Sequence, residues 1–313
     1  MVNLFENGPY LHALGWIAGA QYEVSAANAE GLGALQRTMD FVDGSYPTLK
    51  TAVTSDELLA PLPKELLKSS GVPRARSAAK STVLASILGK SLTKYVDTQP
   101  GFDGDRGSIG VVSNSAIVPV FWAFEGVGVG QSWDRTDTML LPASIPSSVV
   151  TMVSTVTGFH ASAASFGDGV AGMTAALEQA YLHFVHDRAD YAVVIATEEA
   201  CTPMMTSMQT LGIAREPIDG ASGVLLTRKR LSASDWQICF AETFPEKTPR
   251  CMPPDWSAAP RIRVTYPDGC SAYTSTAAPQ AMHAAMQLGA PKVVVEFVLK
   301  GHATCLIGLL KCT

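Results

Sequence analysis

Short runs of β-branched residues alternate with alanine-rich stretches along this chain, and that alternation constrains the fold more than any other feature. Strand-period and helix-period segments in alternation pack as layers of helix on sheet, so the expected class is α/β. "SIGVVSNS" (108–115) reads as a buried strand. "GVAGMTAALEQAYLHFVHD" reads as a helix, and the turn "RAD" delivers it into the strand "YAVVIAT" (191–197). "GASGVLLTRK" and "WQICFAETF" read as further strands. The helix "TAAPQAMHAAMQLG" and the strands "KVVVEFVL" and "TCLIGLLK" close the chain. A proline-rich stretch from Pro245 to Pro260 reads as the connection between two parts, 1–244 and a shorter 245–313, packed as one body.

Composition excludes several classes. With 47% hydrophobic and 16% charged residues, the 313-residue chain can bury a large core. The start "MVNLFENGPYLHALGWIAGA" carries Glu6 and no basic cluster, and no uncharged apolar run reaches membrane-spanning length, so a cytoplasmic protein without a membrane partner is expected. The six cysteines lack CxxC or other ligand spacing, which points away from disulfides and from bound metal. A net charge of −5 gives nucleic acid no electrostatic footing.

The segment "SFGDGVAGMTAALE" (165–178) runs a glycine-rich turn into a small-residue helix. Helix N-termini of this layout present nucleophiles, because the dipole and free N–H groups stabilise a thiolate and a developing oxyanion. Here the residue at the turn is Val170. Asp168 and Gly169 read as the turn and N-cap that shape the start of the helix.

Several pieces, taken in order, resemble the beta-ketoacyl synthases of the thiolase superfamily. "LLPASIPSSVVTMVSTVTG" (140–158) resembles the family's "P-S-x-x-x-N-M" helix. "VAGMTAALEQAYLHFVHDRADYAVVIATEEA" is similar to its nucleophile helix, "G-x-A-D" turn and "G-G-x-E" strand. "REPIDGASGVLLTR" looks like a contracted "PFD…GEGAGVLVL", and "YTSTAAPQAMHAAM" with "FVLKGHATCLIG" resembles "GHTxGAAG" and the glycine turn of "FGFGGTNA". The resemblance implies a layered αβαβα thiolase-like fold with its C-terminal half shortened. It also implies which residues stand at the catalytic positions. Val170 matches the nucleophilic cysteine, no "HGTGT" string supplies the first histidine, and Tyr273, in Ala272-Tyr273-Thr274, matches the second.

A ketosynthase body without its nucleophile has the character of a chain-length factor. The resemblance therefore implies a subunit that is not an enzyme by itself, uses no cofactor, pairs with an active ketosynthase and works in type II polyketide, polyene or fatty-acid-like biosynthesis. It implies tunnel or interface positions at Ile117, Val118, Phe121 and Trp122, with His160 and Asp168 at the interface side and the small residues of "ASAASFGDG" facing the mate. An acidic acyl carrier protein would be steered by Lys64, Lys68, Arg74, Arg76, Lys80, Lys90 and Lys94, among which Glu65 is the single acid, or would dock on the mate. The alternatives are a divergent ketosynthase or acyltransferase with Ser165 as a relocated nucleophile, or a homodimeric acyl-binding scaffold. Cys201 reads as an inert thiol, and His302 lies in the turn that lines the family's pocket.

Overall fold

The computed structural model describes residues 4–18, 23–35, 62–73, 75–113, 145, 147–199, 210, 220–248, 252–266 and 275–312. Strands β1 (Tyr10–Ala18), β3 (Gly107–Val112), β4 (Ser162–Phe166), β5 (Tyr191–Glu198) and β6 (Gly220–Thr227) form one part of a ten-stranded sheet. Strands β7 (Trp236–Pro245), β8 (Arg261–Tyr266), β9 (Lys292–Leu299) and β10 (Ala303–Lys311) form the other. The order is β4-β3-β5-β6-β1-β7-β10-β9-β8, with β2 (Glu23–Asn28) added antiparallel to β1. The two parts meet at a short seam, Tyr10 opposite Gln237 and Leu11 opposite Trp236.

β3, β4 and β5 are mutually parallel, with Ile109 level with Ala163 on one side and Val193 on the other. Parallel strands need helical crossovers and are covered on both faces, which explains why β3 and nearly all of β5 are buried along their length. Helices α2 (Lys80–Thr93) and α3 (Ser147–Thr157) cover one face, after the short α1 (Lys64–Ser69). Val83, Leu84, Leu88 and Val153 pack there against Ile109, Val111, Val193 and Ile195, and each such side chain contributes roughly 1.5–3 kcal/mol by leaving water.

On the other face lie α4 (Gly169–Val185) and α5 (Ala277–Met286). Met173, Leu177, Ala281 and Met282 sit between Leu14, Trp16, Val194 and Val224 of the first part and Ile238, Val295, Phe297 and Ile307 of the second. The layers therefore run helix, sheet, helix, sheet. Beyond the second sheet, Phe240, Phe244, Val294 and Leu306 are closed by Trp256 from the one-turn helix Pro254–Trp256, with the Phe240 and Trp256 rings edge to face at 5.1 Å. Among the described residues, that turn is what covers the outer face of this part of the sheet. No helix among the described residues is long and apolar enough to cross a membrane.

Candidate functional site

The carboxyl ends of the parallel strands are where ligand sites of α/β sheets collect, and α4 begins there. The chain leaves β4 at Phe166 and turns through Gly167 and Asp168, which takes the left-handed conformation (φ 67°, ψ 34°). The first turn of α4 then lies so close to the strand end that a Cβ on Gly172 would stand 1.9 Å from the Gly167 carbonyl oxygen. Glycine at 172 is therefore a condition of this turn, not merely a good fit to it.

Beside the turn, between α4 and β7, is an open cavity of about 410 Å³. Phe166, Asp168, Ala171, Glu178, Glu242 and Thr243 are among its lining residues. His302, in the turn between β9 and β10, reaches Asp168 with Nε2 3.2 Å from Oδ2, so the position resembling the family's glycine turn does come to the start of α4. Both partners are about half exposed, and a pair of that kind contributes little to stability. Below the cavity the hydroxyls of Thr174 and Thr243 are 2.7 Å apart, and Thr243 Oγ1 lies 3.5 Å from Cys305 Sγ.

None of these groups is an activated nucleophile. Burial pushes the Cys305 thiol up to about 12, and does the same to Cys239, so neither is a thiolate near neutrality. Val170 is fully buried in the core among the apolar residues of α4, while its neighbours Phe166 to Asp168 line the cavity. Ser165 is exposed on β4 and is not one of the cavity-lining residues. His160 sits at the far end of β4, exposed, with Nδ1 3.5 Å from Ser154 Oγ. At ~3.3 Å per residue along the strand, it stands roughly 20 Å or more from Asp168 of the same chain. Tyr273, Ile117, Val118, Phe121, Trp122, Cys201 and Arg74 lie outside the described residues. Among the described residues, no three His, Cys, Asp or Glu side chains are grouped to hold a metal ion.

Two buried carboxylates stand at the end of β5 and just past it, where the sequence reads "EEA". Adjacent residues of a strand point to opposite faces. Glu198 accepts a hydrogen bond from Ser275 Oγ at the start of α5, while Glu199 accepts from Ser81 N at 3.0 Å and Ser81 Oγ at 3.1 Å at the start of α2. These hydrogen bonds fall at or just before the first turn of each helix, so the end of β5 braces one helix on each side of the sheet. Away from the cavity, Lys64, Lys68, Arg76, Lys90 and Lys94 are exposed and Lys80 is half-buried.

No known sequence family matches the chain, and no curated protein sequence does. Solved structures are similar over almost its whole length. The ishigamide ketosynthase/chain length factor superposes with a TM-score of 0.64 at 12% identity, covering 98% of this chain and 100% of that one. A ketosynthase in complex with its chain length factor from Xenorhabdus doucetiae gives 0.58 at 11%, covering 97% and 98%. A type II polyketide synthase acyl-carrier protein in complex with its ketosynthase bound to the hexaketide gives 0.57 at 9%, covering 98% and 100%. At such identities the likeness is one of fold: the chain has the thiolase-like fold of ketosynthases and chain length factors.

Proposed function

We propose that this chain is a non-catalytic, chain-length-factor-like subunit that pairs with an active beta-ketoacyl synthase in the cytoplasm and helps bound its acyl tunnel. The observation that carries the reading is the turn between β4 and α4. On the resemblance, the residues from Phe166 to Val170 stand where those enzymes hold a cysteine, and none has an atom able to form a thioester. The nearest described thiol, Cys305, is buried and protonated. Pairing is supported by the exposure of Ala163 and Ser165 on β4, which among the described residues is the last strand of the sheet, and by the similarity to a structure described as a ketosynthase with its chain length factor. On this reading Ile117, Val118, Phe121 and Trp122 face the tunnel, and the carrier protein docks on the exposed lysines of α1 and α2 or on the mate.

The test is co-expression with candidate ketosynthases that retain a cysteine and two histidines, followed by purification and product analysis. A stable 1:1 complex, with longer products after Phe121→Ala or Trp122→Ala and the complex intact, supports the reading. Unchanged product lengths with a large loss of melting temperature would make those two residues core side chains. An acyl adduct on Ser165 in intact-mass spectra of the isolated chain would replace the proposal with an enzyme.

A further inference from the structure

We propose that the joint between α4 and β5 is an acid-sensitive latch, in which a proton taken up by His183 loosens the last turn of α4. His183 is half-buried and lies in the final turn of the helix. With Ser108 and Gly110 of β3, Gln179 of α4, and Ala192 and Val194 of β5, it borders a void of about 10 Å³, the least space that admits one water. β4, which also packs on α4, sets Ser162 and Ala164 level with Ser108 and Gly110. Among the described residues, these strands turn no charged side chain to the ring. The void offers an imidazolium only the Ser108 hydroxyl and the Gln179 amide.

The charges near the ring stand on the helix end and the turn that follows it. His186 and Arg188 repel a second positive charge. The carboxylates of that turn, Asp187 and Asp190, are held by Arg106 and Arg228. A cation in the last turn of a helix is ordinarily favoured by the dipole. Here burial first, and then repulsion from Arg188 and His186, outweigh that and hold the imidazole below its ordinary value.

The joint itself is short. His186 N donates to Leu182 O at 3.0 Å, Asp187 N to Phe184 O at 3.2 Å and Arg188 N to His183 O at 2.8 Å. Asp187 takes the left-handed conformation (φ 54°) where helices usually end on glycine. A ring driven out of the void draws on the residue whose carbonyl accepts from Arg188, so the side chain and the closing hydrogen bond move together. A histidine with a depressed folded pKa gives its full stability above the unfolded value, about 6.5, and loses it as pH falls toward the folded one. The latch is therefore shut at neutral pH and opens in mild acid, above the range in which Asp187 and Asp190 give up their charge.

Hydrogen exchange of residues 182–190 in the purified chain, corrected for the intrinsic rate at each pH, reads the latch. Exchange up to about tenfold faster at about pH 5.5 than at about pH 7.5 is expected, the gain from protonating an ordinary histidine in the open state alone. His183→Gln is expected to flatten that dependence and His186→Gln to preserve it. In an NMR titration of the unaltered chain, the His183 ring is expected to titrate below about 6.5, a measurement that stands even where His183→Gln fails to fold. A His183 ring that titrates at or above that value, exchange no faster in mild acid, or a pH dependence that a folded His183→Gln chain retains, overturns the proposal.

Discussion

Gly172 and Val170 carry the most at the scale of single residues. A Cβ at 172 meets a backbone carbonyl, which cannot swing aside as a flexible side chain would. Gly172→Ala is therefore expected to cost about 1–3 kcal/mol or more, read as a lowered melting temperature, and to alter the cavity. An unchanged melting temperature would mean that the turn is looser than described. Val170→Cys offers the complementary experiment. Because position 170 is buried, a thiol there would be held protonated by desolvation, so no alkylation and no acyl adduct are expected from the folded protein. Rapid labelling would place residue 170 at the cavity. The glycine-rich turn was legible in the sequence, since left-handed backbone and close approach select glycine and aspartate. What could not be read was the contact of His302 with Asp168, 134 residues apart, because only the completed sheet brings the β9–β10 turn to the start of α4.

Among the elements, α4 and β5 were legible from small-residue helical spacing and a β-branched run, and the structure forms them at Gly169–Val185 and Tyr191–Glu198. α2 was not assigned from the sequence. Residues Ser81 to Gly89 are all buried, serine and threonine included, so the helix lacks the polar face that periodicity detects. The ends of β3, β5 and β6 are tied by a charge cluster in which Arg106 hydrogen-bonds Asp187 and Asp190, and Arg228 also contacts both. The hydrogen bonds from Arg106 are the first cause holding both carboxyls below their ordinary range. A depressed folded pKa contributes stability above the unfolded pKa and loses it as pH falls through the folded value. Arg106→Gln is thus expected to lower the urea midpoint modestly at neutral pH, with the difference from the unaltered protein shrinking below about pH 4. A difference that stays constant from neutral to acid pH would show that Arg106 acts through packing alone.

For the whole molecule, the alternation of strand and helix was enough to reach the layers, while the joining of the two groups of strands was not legible because it depends on the short β1–β7 seam and on α4 and α5 lying between the two parts of the sheet. We propose that 1–244 and 245–313 fold as one body, since residues of both contribute to the core around α4 and α5. Calorimetry is expected to show a single unfolding transition, and two resolved transitions would separate the parts. The proposed function is tested at this scale, because it assigns the chemistry to a partner. The most direct measurement is intact-mass spectrometry of the reconstituted pair after incubation with acyl and malonyl carrier proteins. The account predicts a 1:1 complex in which every acyl adduct is on the ketosynthase and none on this chain. An acyl adduct on any residue of this chain, formed at the rate of condensation, would contradict it.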